Sequence, residues 1–553
     1  MRVAGVGEAI ATFEGTPVYR MIHARVSESS KPKRLGFAAN TLWTWTSLIV
    51  AFMTALVVSP MMIKRLGAEA YGLWTIAFGV TEYYSIADLG VRSAVLKYVA
   101  HHWTLGETGA LNRTLNTAFV FFGGGGLLIL LATIIIAPLG PRFFIVSPEM
   151  ASMFVFVMTA IGSTFALVFA MSWLNAVLES VQRFDLSYRI IIVSNVVRVA
   201  GTVAVLLAGL GLPAVVIVTV IARMLQCLLV YRAFRSFFSD WRWSLSGVNR
   251  ETFKQLFRFS AFSLPSNVSQ IFIEHGPVVV IGHYLPAAYV AYYTLPRRLV
   301  QMGLELVHGI GSVATARAAE LGAKDDREGL LKLGIFTNRY GLLSVVPSTV
   351  FLVLYGTGVF ALWLTPEFAE RSGPVLMVFA IAFMLADASQ FSTSAMLFGL
   401  ARHQVYSFTL VGEALVTFAL VFWFAAAGNF VAAAIGASIP MVVNRGFVTP
   451  YLLCRYLKHP VSHYIAAIVT RPLIVGGVAG GLMWISKATW LPGTTYPGIG
   501  VAIVLTGSIC ALLGGRLCIL PDHYGWIVAA VRDRARWIEQ PVRAWLGISR
   551  SAA

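Results

Sequence analysis

Charge is scarce in this 553-residue chain and acidic charge scarcest: 12% of residues are charged, 25 of them acidic against 42 basic. With 58% hydrophobic residues and a mean hydropathy of +0.75, there is too little charge to cover a soluble surface, which excludes an ordinary soluble protein. Alternating barrel strands are missing too, so helices must satisfy the backbone within lipid. Cys227, Cys454, Cys510 and Cys518 lie in or at the ends of apolar stretches without metal-ligand spacing. They imply packing and no disulfide framework. There is no nucleotide-binding P-loop and no nucleophile elbow, so neither a cofactor nor an enzymatic role is expected.

What the chain does have is fourteen apolar stretches. They run over about 36–63, 71–90, 114–138, 150–176, 187–208, 212–236, 256–282, 287–314, 335–362, 374–399, 404–427, 430–453, 468–486 and 496–518. Each is close to the ~20 residues that cross hydrocarbon. Of the 42 basic residues, 33 fall in the alternate connections that include both termini and five in the opposite set. Cationic loops stay on the cytoplasmic side, so both ends are expected there. The same distribution explains the net charge of +17 through anionic lipid headgroups, leaving no need for a nucleic-acid partner. Four cations, Arg198, Arg223, Arg297 and Arg298, sit inside the apolar stretches.

The outward connections near 138–148 and 364–373 leave no room for an extracellular catalytic domain. A cleavable signal would place its apolar run nearer the start, so 1–35 reads as a cytoplasmic extension. The expected organisation is a six-helix bundle over 36–238, a linker over 239–255, a second bundle over 256–457, and two further spans over 458–520. A basic tail over 521–553, with Trp526, Trp537 and Trp545 among arginines, reads as an amphipathic surface helix or a plain stop-transfer tail. The halves look related. Leu66–Trp74 and Leu285–Tyr292 open corresponding spans, and each is followed by an apolar helix and a polar hook. Paired bundles of this kind are a common transporter plan, with the substrate site between them. The overlapping GxxxG patterns of Gly476, Gly477, Gly480 and Gly481, and the Gly123–Gly126 run, read as close helix packing.

Polar residues line single helical faces inside four stretches. Thr294, Arg298, Gln301, Glu305, His308 and Ser312 recur at steps of 4, 3, 4, 3 and 4, with Arg297 beside them. The arginines lie roughly 15 Å from the outer end at 1.5 Å per residue, where each costs at least ~2.5 kcal/mol. They must face water, a carboxylate or an anionic substrate. Ser263, Asn267, Gln270 and Glu274 form a matching stripe. Asn40, Thr44, Ser47 and Thr54, then Thr81, Ser85, Asp88 and Arg92, form weaker ones. Arg297, Arg298, Gln301, Glu305, Asn267, Gln270, Glu274 and Asn40 are therefore candidate substrate-binding residues; a purely structural network is the alternative. Asp88 and Arg92, at i,i+4 near the cytoplasmic boundary, read as a structural or gating pair. Asp387 and Glu413 lie near mid-depth, where carboxylates carry protons or sodium ions or are hydrogen-bonded structural groups.

The chain resembles the polysaccharide flippases of the multidrug/oligosaccharidyl-lipid/polysaccharide exporter superfamily. The residues that carry this are Asn40-Thr41-Leu42-Trp43, Ser59-Pro60, Leu66-Gly67-Ala68-Glu69-Ala70-Tyr71-Gly72-Leu73-Trp74, Ala87-Asp88-Leu89-Gly90, Lys97-Tyr98-Val99-Ala100 and Leu111-Asn112-Arg113. The resemblance implies an all-α membrane protein with two pseudo-symmetric six-helix bundles in a V around a central cavity. It also implies transfer of polyprenyl-diphosphate-linked oligosaccharide from the inner to the outer leaflet of a bacterial inner membrane, ion-coupled and by alternating access. Implied partners are the lipid-linked oligosaccharide, membrane lipids, and a polysaccharide polymerase or glycosyltransferases. Arg forks match phosphate oxygens, in keeping with a diphosphate held by Arg297 and Arg298. The rival readings are a drug or metabolite antiporter, which would want an acidic cavity, and a membrane glycosyl-polymerase or ligase, which would want a larger outward loop.

Overall fold

The computed structural model describes residues 37–518 apart from 240, 242, 245–246, 261–263, 389 and 391. Side chains at 37–49, 51, 52, 55, 258–260, 305–313, 316 and 403 also lie outside the described set. The extension over 1–35 and the tail over 521–553 therefore fall outside it.

Apolar side chains facing lipid leave the backbone only itself to bond with, and the chain answers with helix after helix. Among the described residues there are α1 (Phe37–Glu82), α2 (Val91–Leu105), α3 (Thr108–Phe143), α4 (Ala151–Ser180), α5 (Phe184–Leu207) and α6 (Leu212–Phe237). A linker helix, α7 (Arg250–Ser260), precedes α8 (Leu264–Tyr284), α9 (Ala287–Ala323), α10 (Arg327–Trp363), α11 (Pro366–Asp387), α12 (Thr393–Gly399), α13 (His403–Ala426), α14 (Phe430–Val443) and α15 (Thr449–Leu457). The last two are α16 (Val461–Thr489) and α17 (Tyr496–Leu517). Ten segments among the described residues are long and apolar enough to cross a membrane, matching stretches three to six and nine to fourteen of the sequence. The polar stripe of α8 and the charges of α9 keep them off that set although both are long.

The first two apolar stretches form one continuous element, α1, that bends at Gly67 (φ 87°, ψ 166°), a conformation that favours glycine. After α1 a short 3₁₀ turn over Tyr83–Asp88 ends in Leu89 and Gly90, both left-handed (φ 48° and 75°). This is the polar hook of the first half. In the second half α9 runs straight through the corresponding position, so the halves differ there.

Helices in lipid gain nothing from hiding apolar surface, so close packing and hydrogen bonds must hold them together. One core joins the two halves. Val58, Leu73, Ile76 and Phe144 of the first half pack with Ile281, Ala287, Val290 and Phe360 of the second. At the other end the halves have separate cores, one around Val95, Trp173 and Phe234, the other around Ala318, Leu330 and Tyr464. The helices are thus joined at the end holding the 138–148 connection and part at the end holding the hooks. At the joined end Ile145 N donates to Gly282 O (3.0 Å) and Ala287 N to Ile145 O (3.2 Å). A Cβ on Gly72 would lie 1.9 Å from Ala287 O, so only glycine permits this approach.

Helices α16 and α17 pack on α10. Asn338 Nδ2 donates to Tyr464 Oη (3.0 Å) and to Thr393 Oγ1 (3.0 Å), and Arg339 Nε donates to Ala467 O (2.9 Å). Of the GxxxG glycines only Gly476 meets a neighbour, Val346; Gly477, Gly480 and Gly481 face open space, contrary to the packing expected of them. In the Gly123–Gly126 run, Gly125 and Gly126 press on α4, as expected, while Gly123 and Gly124 are open. All four cysteines are buried and free.

Candidate functional site between the lobes

Helices α8 and α9, which carry two of the polar stripes, both pack against α1 at the boundary between the halves. Arg297 and Arg298, adjacent in sequence, have different fates. Arg297 is buried and its Nη1 donates to the carbonyl oxygens of Ile273 (3.1 Å) and Glu274 (3.1 Å) on α8. The reason lies four residues on: Pro277 has no N–H, so the Ile273 carbonyl has no helical donor, and the guanidinium replaces it. Arg298 is exposed and lies within electrostatic reach of Tyr71 on α1 and His275 on α8.

Around Arg298 the remaining candidates are distributed as follows. Asn267 is exposed, and Gln270 and Gln301 are half-buried. Gln270 Nε2 donates to Glu274 Oε1 (2.7 Å), and Glu274 Oε2 lies 3.9 Å from His275 Nε2. The side chains of Asn40 and Glu305 lie outside the described residues.

The facing wall holds groups the sequence reading valued less. Glu82, at the end of α1, lies within electrostatic reach of both Arg223 on α6 and Glu274 on α8, so it sits between the halves. Arg223 Nη1 donates to Gln226 Oε1 (2.9 Å) and Arg198 Nη2 to Asn195 Oδ1 (3.4 Å). Arg198 and Arg223 lie near each other, and Arg198 Nε is buried without a partner among the described residues. Tyr83 meets Phe272 edge-on at 5.2 Å across the boundary. Electrostatic contacts thus link Arg198 and Arg223 to Glu82, Glu82 to Glu274, and Glu274 through His275 to Arg298. Glu82 sits one position off the Thr81–Ser85 stripe, which is why the helical periodicity passed over it.

The other two candidate pairs are arranged differently from the sequence reading. Asp88 and Arg92 do not pair through their side chains: Asp88 Oδ1 accepts the Arg92 backbone N–H (3.1 Å), capping α2 after the left-handed turn, and Arg92 Nη2 bonds Glu179 Oε1 (2.6 Å). Glu413 is buried and gripped by Arg445, with Nη2 at 2.9 Å and Nε at 3.0 Å from Oε1, while Asn444 Nδ2 donates to Oε2 (2.7 Å). Arg445, counted with the loops on sequence, stands on a π-helical turn over Asn444–Val448 that aims both residues at Glu413. Buried Asp387 lies within reach of the same guanidinium. Beside it Gln390 Nε2 donates to Tyr406 Oη (2.9 Å).

The sequence pattern of the Polysaccharide biosynthesis protein family matches residues 61–373, more than half of the chain. The chain belongs to this family. Two curated relatives are similar: "Uncharacterized membrane protein EpsK" of Bacillus subtilis, 23% identical over 63% of this chain and 68% of that protein, and "Putative O-antigen transporter" of Shigella flexneri, 22% identical over 73% of this chain and 95% of that protein. Among solved structures the fold is similar to an inward-facing multidrug resistance MATE family transporter of the MOP superfamily (TM-score 0.64, 14% identity, 73% of this chain and 95% of that one). It is also similar to the lipid II flippase MurJ in an inward closed conformation (TM-score 0.66, 13% identity, 87% of this chain and 100% of that one). This family member is a multi-pass helical membrane protein with the fold of a MOP-superfamily transporter.

Proposed function

We propose that this protein flips a polyprenyl-diphosphate-linked oligosaccharide across a bacterial inner membrane, with both termini cytoplasmic and the gap between the lobes open to the cytoplasm. The observation that carries this is the run of charges that leads from Arg198 and Arg223 of one lobe, through Glu82 and Glu274, to exposed Arg298 of the other. Cations brought together within a membrane attract an anion, and a diphosphate accepts guanidinium forks. The buried, unpartnered Arg198 Nε is a donor awaiting such an acceptor. Asn267, Gln270 and Gln301 supply amides for sugar hydroxyls, while the prenyl chain stays in lipid. The relatives' names support the glycan cargo.

The joined core at one end and the parted cores at the other support alternating access, in which the shared core opens as the separate ones close. Ion coupling would draw on Asp387, a buried carboxylate beside the Glu413–Arg445 pair. A cationic drug as cargo is disfavoured by the three arginines of that run. The test is leaflet transfer of a defined lipid-linked glycan in proteoliposomes. Arg198→Gln, Arg223→Gln and Arg298→Gln should each slow transfer at least tenfold with normal folding; wild-type rates in all three would remove them from the mechanism. The same assay with and without proton or sodium gradients tests coupling.

A further inference from the structure

Two of the five basic residues read as outward-facing, Lys64 and Arg65, are adjacent. Cations on that side run against the topology rule, so a neighbouring pair calls for a chemical reason. Both line a recess of about 320 Å³ together with Leu56, Pro60, Trp363 and Tyr496. One wall is α1 just before its bend; the other is the last residue of α10 and the first of α17. Lys64 Nζ donates to Leu362 O (3.4 Å), and Tyr496 Oη donates to the same oxygen (2.7 Å). Arg65 is exposed and has no hydrogen bond or ion pair among the described residues. Glu69, the nearest acidic residue in sequence, accepts Ser147 N instead (3.3 Å). The N-terminus of α17, the positive end of its dipole, begins at this recess.

We propose that this recess binds the phosphate of a lipid headgroup. Phosphate oxygens sit between the Lys64 ammonium and the Arg65 guanidinium, and the Trp363 and Tyr496 rings flank the group that follows the phosphate. Leu56 and Pro60 face the chains. The chemistry is shared by an ordinary anionic phospholipid and by the diphosphate lipid proposed as cargo. Because the walls come from different lobes, a bound headgroup favours the arrangement in which this end is closed. The assignment to the outer leaflet rests on the topology of the proposed function; the binding itself does not, so either can fail alone.

The experiment is native mass spectrometry on the full chain in detergent, in an Arg198→Gln/Arg223→Gln/Arg298→Gln background so that the proposed cargo site contributes little. It is titrated with phosphatidylglycerol, with a polyprenyl diphosphate, and with phosphate-free dioleoylglycerol. One or both phosphate lipids should bind and dioleoylglycerol should not; the stronger of the two identifies the natural source. Lys64→Gln/Arg65→Gln should lose about tenfold in affinity for the phosphate lipids, while Lys64→Arg/Arg65→Lys keeps it. Should the double variant fail to fold, Arg65→Gln alone should still lose several-fold. Unchanged affinity in the folded charge-removing variants, or equal retention of dioleoylglycerol, overturns the proposal.

Discussion

Arg297 and Pro277 form one chemical unit across two helices: the proline leaves the Ile273 carbonyl without a donor, and the guanidinium supplies one at 3.1 Å. The same device occurs at the lobe boundary, where Pro60 leaves the Leu56 carbonyl bare and Trp363 Nε1 donates to it (2.9 Å). Both let a proline stand inside a helix without an orphaned polar group in lipid.

The two adjacent arginines should therefore separate experimentally. Arg297→Ala removes a charged donor from two carbonyls and should cost about 1.5–3 kcal/mol, seen as a lower thermal midpoint in detergent. Adding Pro277→Ala returns an N–H to Ile273 and should recover part of it. Arg298→Ala should leave the midpoint unchanged yet lower polysaccharide output in cells. Equal midpoints for both single variants would contradict this division of labour.

Trp363→Phe keeps the ring and deletes the donor, and should lower stability by about 1 kcal/mol. In a Pro60→Ala background the same change should be nearly silent, because Leu56 then has a backbone partner. A double-mutant cycle in thermal unfolding measures this coupling.

Gly72→Ala should be far more damaging than Gly477→Ala. The first places a methyl 1.9 Å from Ala287 O and must force the lobes apart at their joined end; the second meets nothing within 4 Å. Cysteine accessibility at Val290, in the shared core, should rise in the first variant alone.

Glu413→Ala strands the Arg445 charge in a buried site and should cost about 3–5 kcal/mol, reducing the yield of folded protein. Glu413→Gln/Arg445→Met removes both charges and should restore much of that yield. Asp387→Asn should fold well and, if this carboxylate couples an ion, flatten the dependence of transfer on the gradient.

Much of the fold was legible because lipid leaves few solutions: apolar length gave the helices, and the 3.6-residue period of Asn267, Gln270 and Glu274 put them on one face. The signature near Gly67 and Gly72 was legible as a family mark, but its cause shows only in three dimensions, one glycine bending α1 and the other admitting Ala287. Side-chain partners were harder to read. Asp88 and Arg92 have helical spacing, yet the left-handed Leu89 and Gly90 break the helix between them, so Arg92 reaches Glu179. Arg445 stands midway along the Phe430–Leu457 span, and nothing in its local sequence shows that a π-helical turn aims it at Glu413 on another helix. Arg297 looked like a ligand group because nothing local shows that a proline 20 positions back needs its donor.

Each proline–donor pair described above also constrains how such a chain can drift. Positions 60 and 363 are about three hundred residues apart, yet losing Trp363 bares the Leu56 carbonyl unless Pro60 changes too, and losing Pro60 makes the Trp363 donor redundant. Natural sequences of this type should keep or lose such partners jointly, giving covariation that no direct side-chain packing would explain.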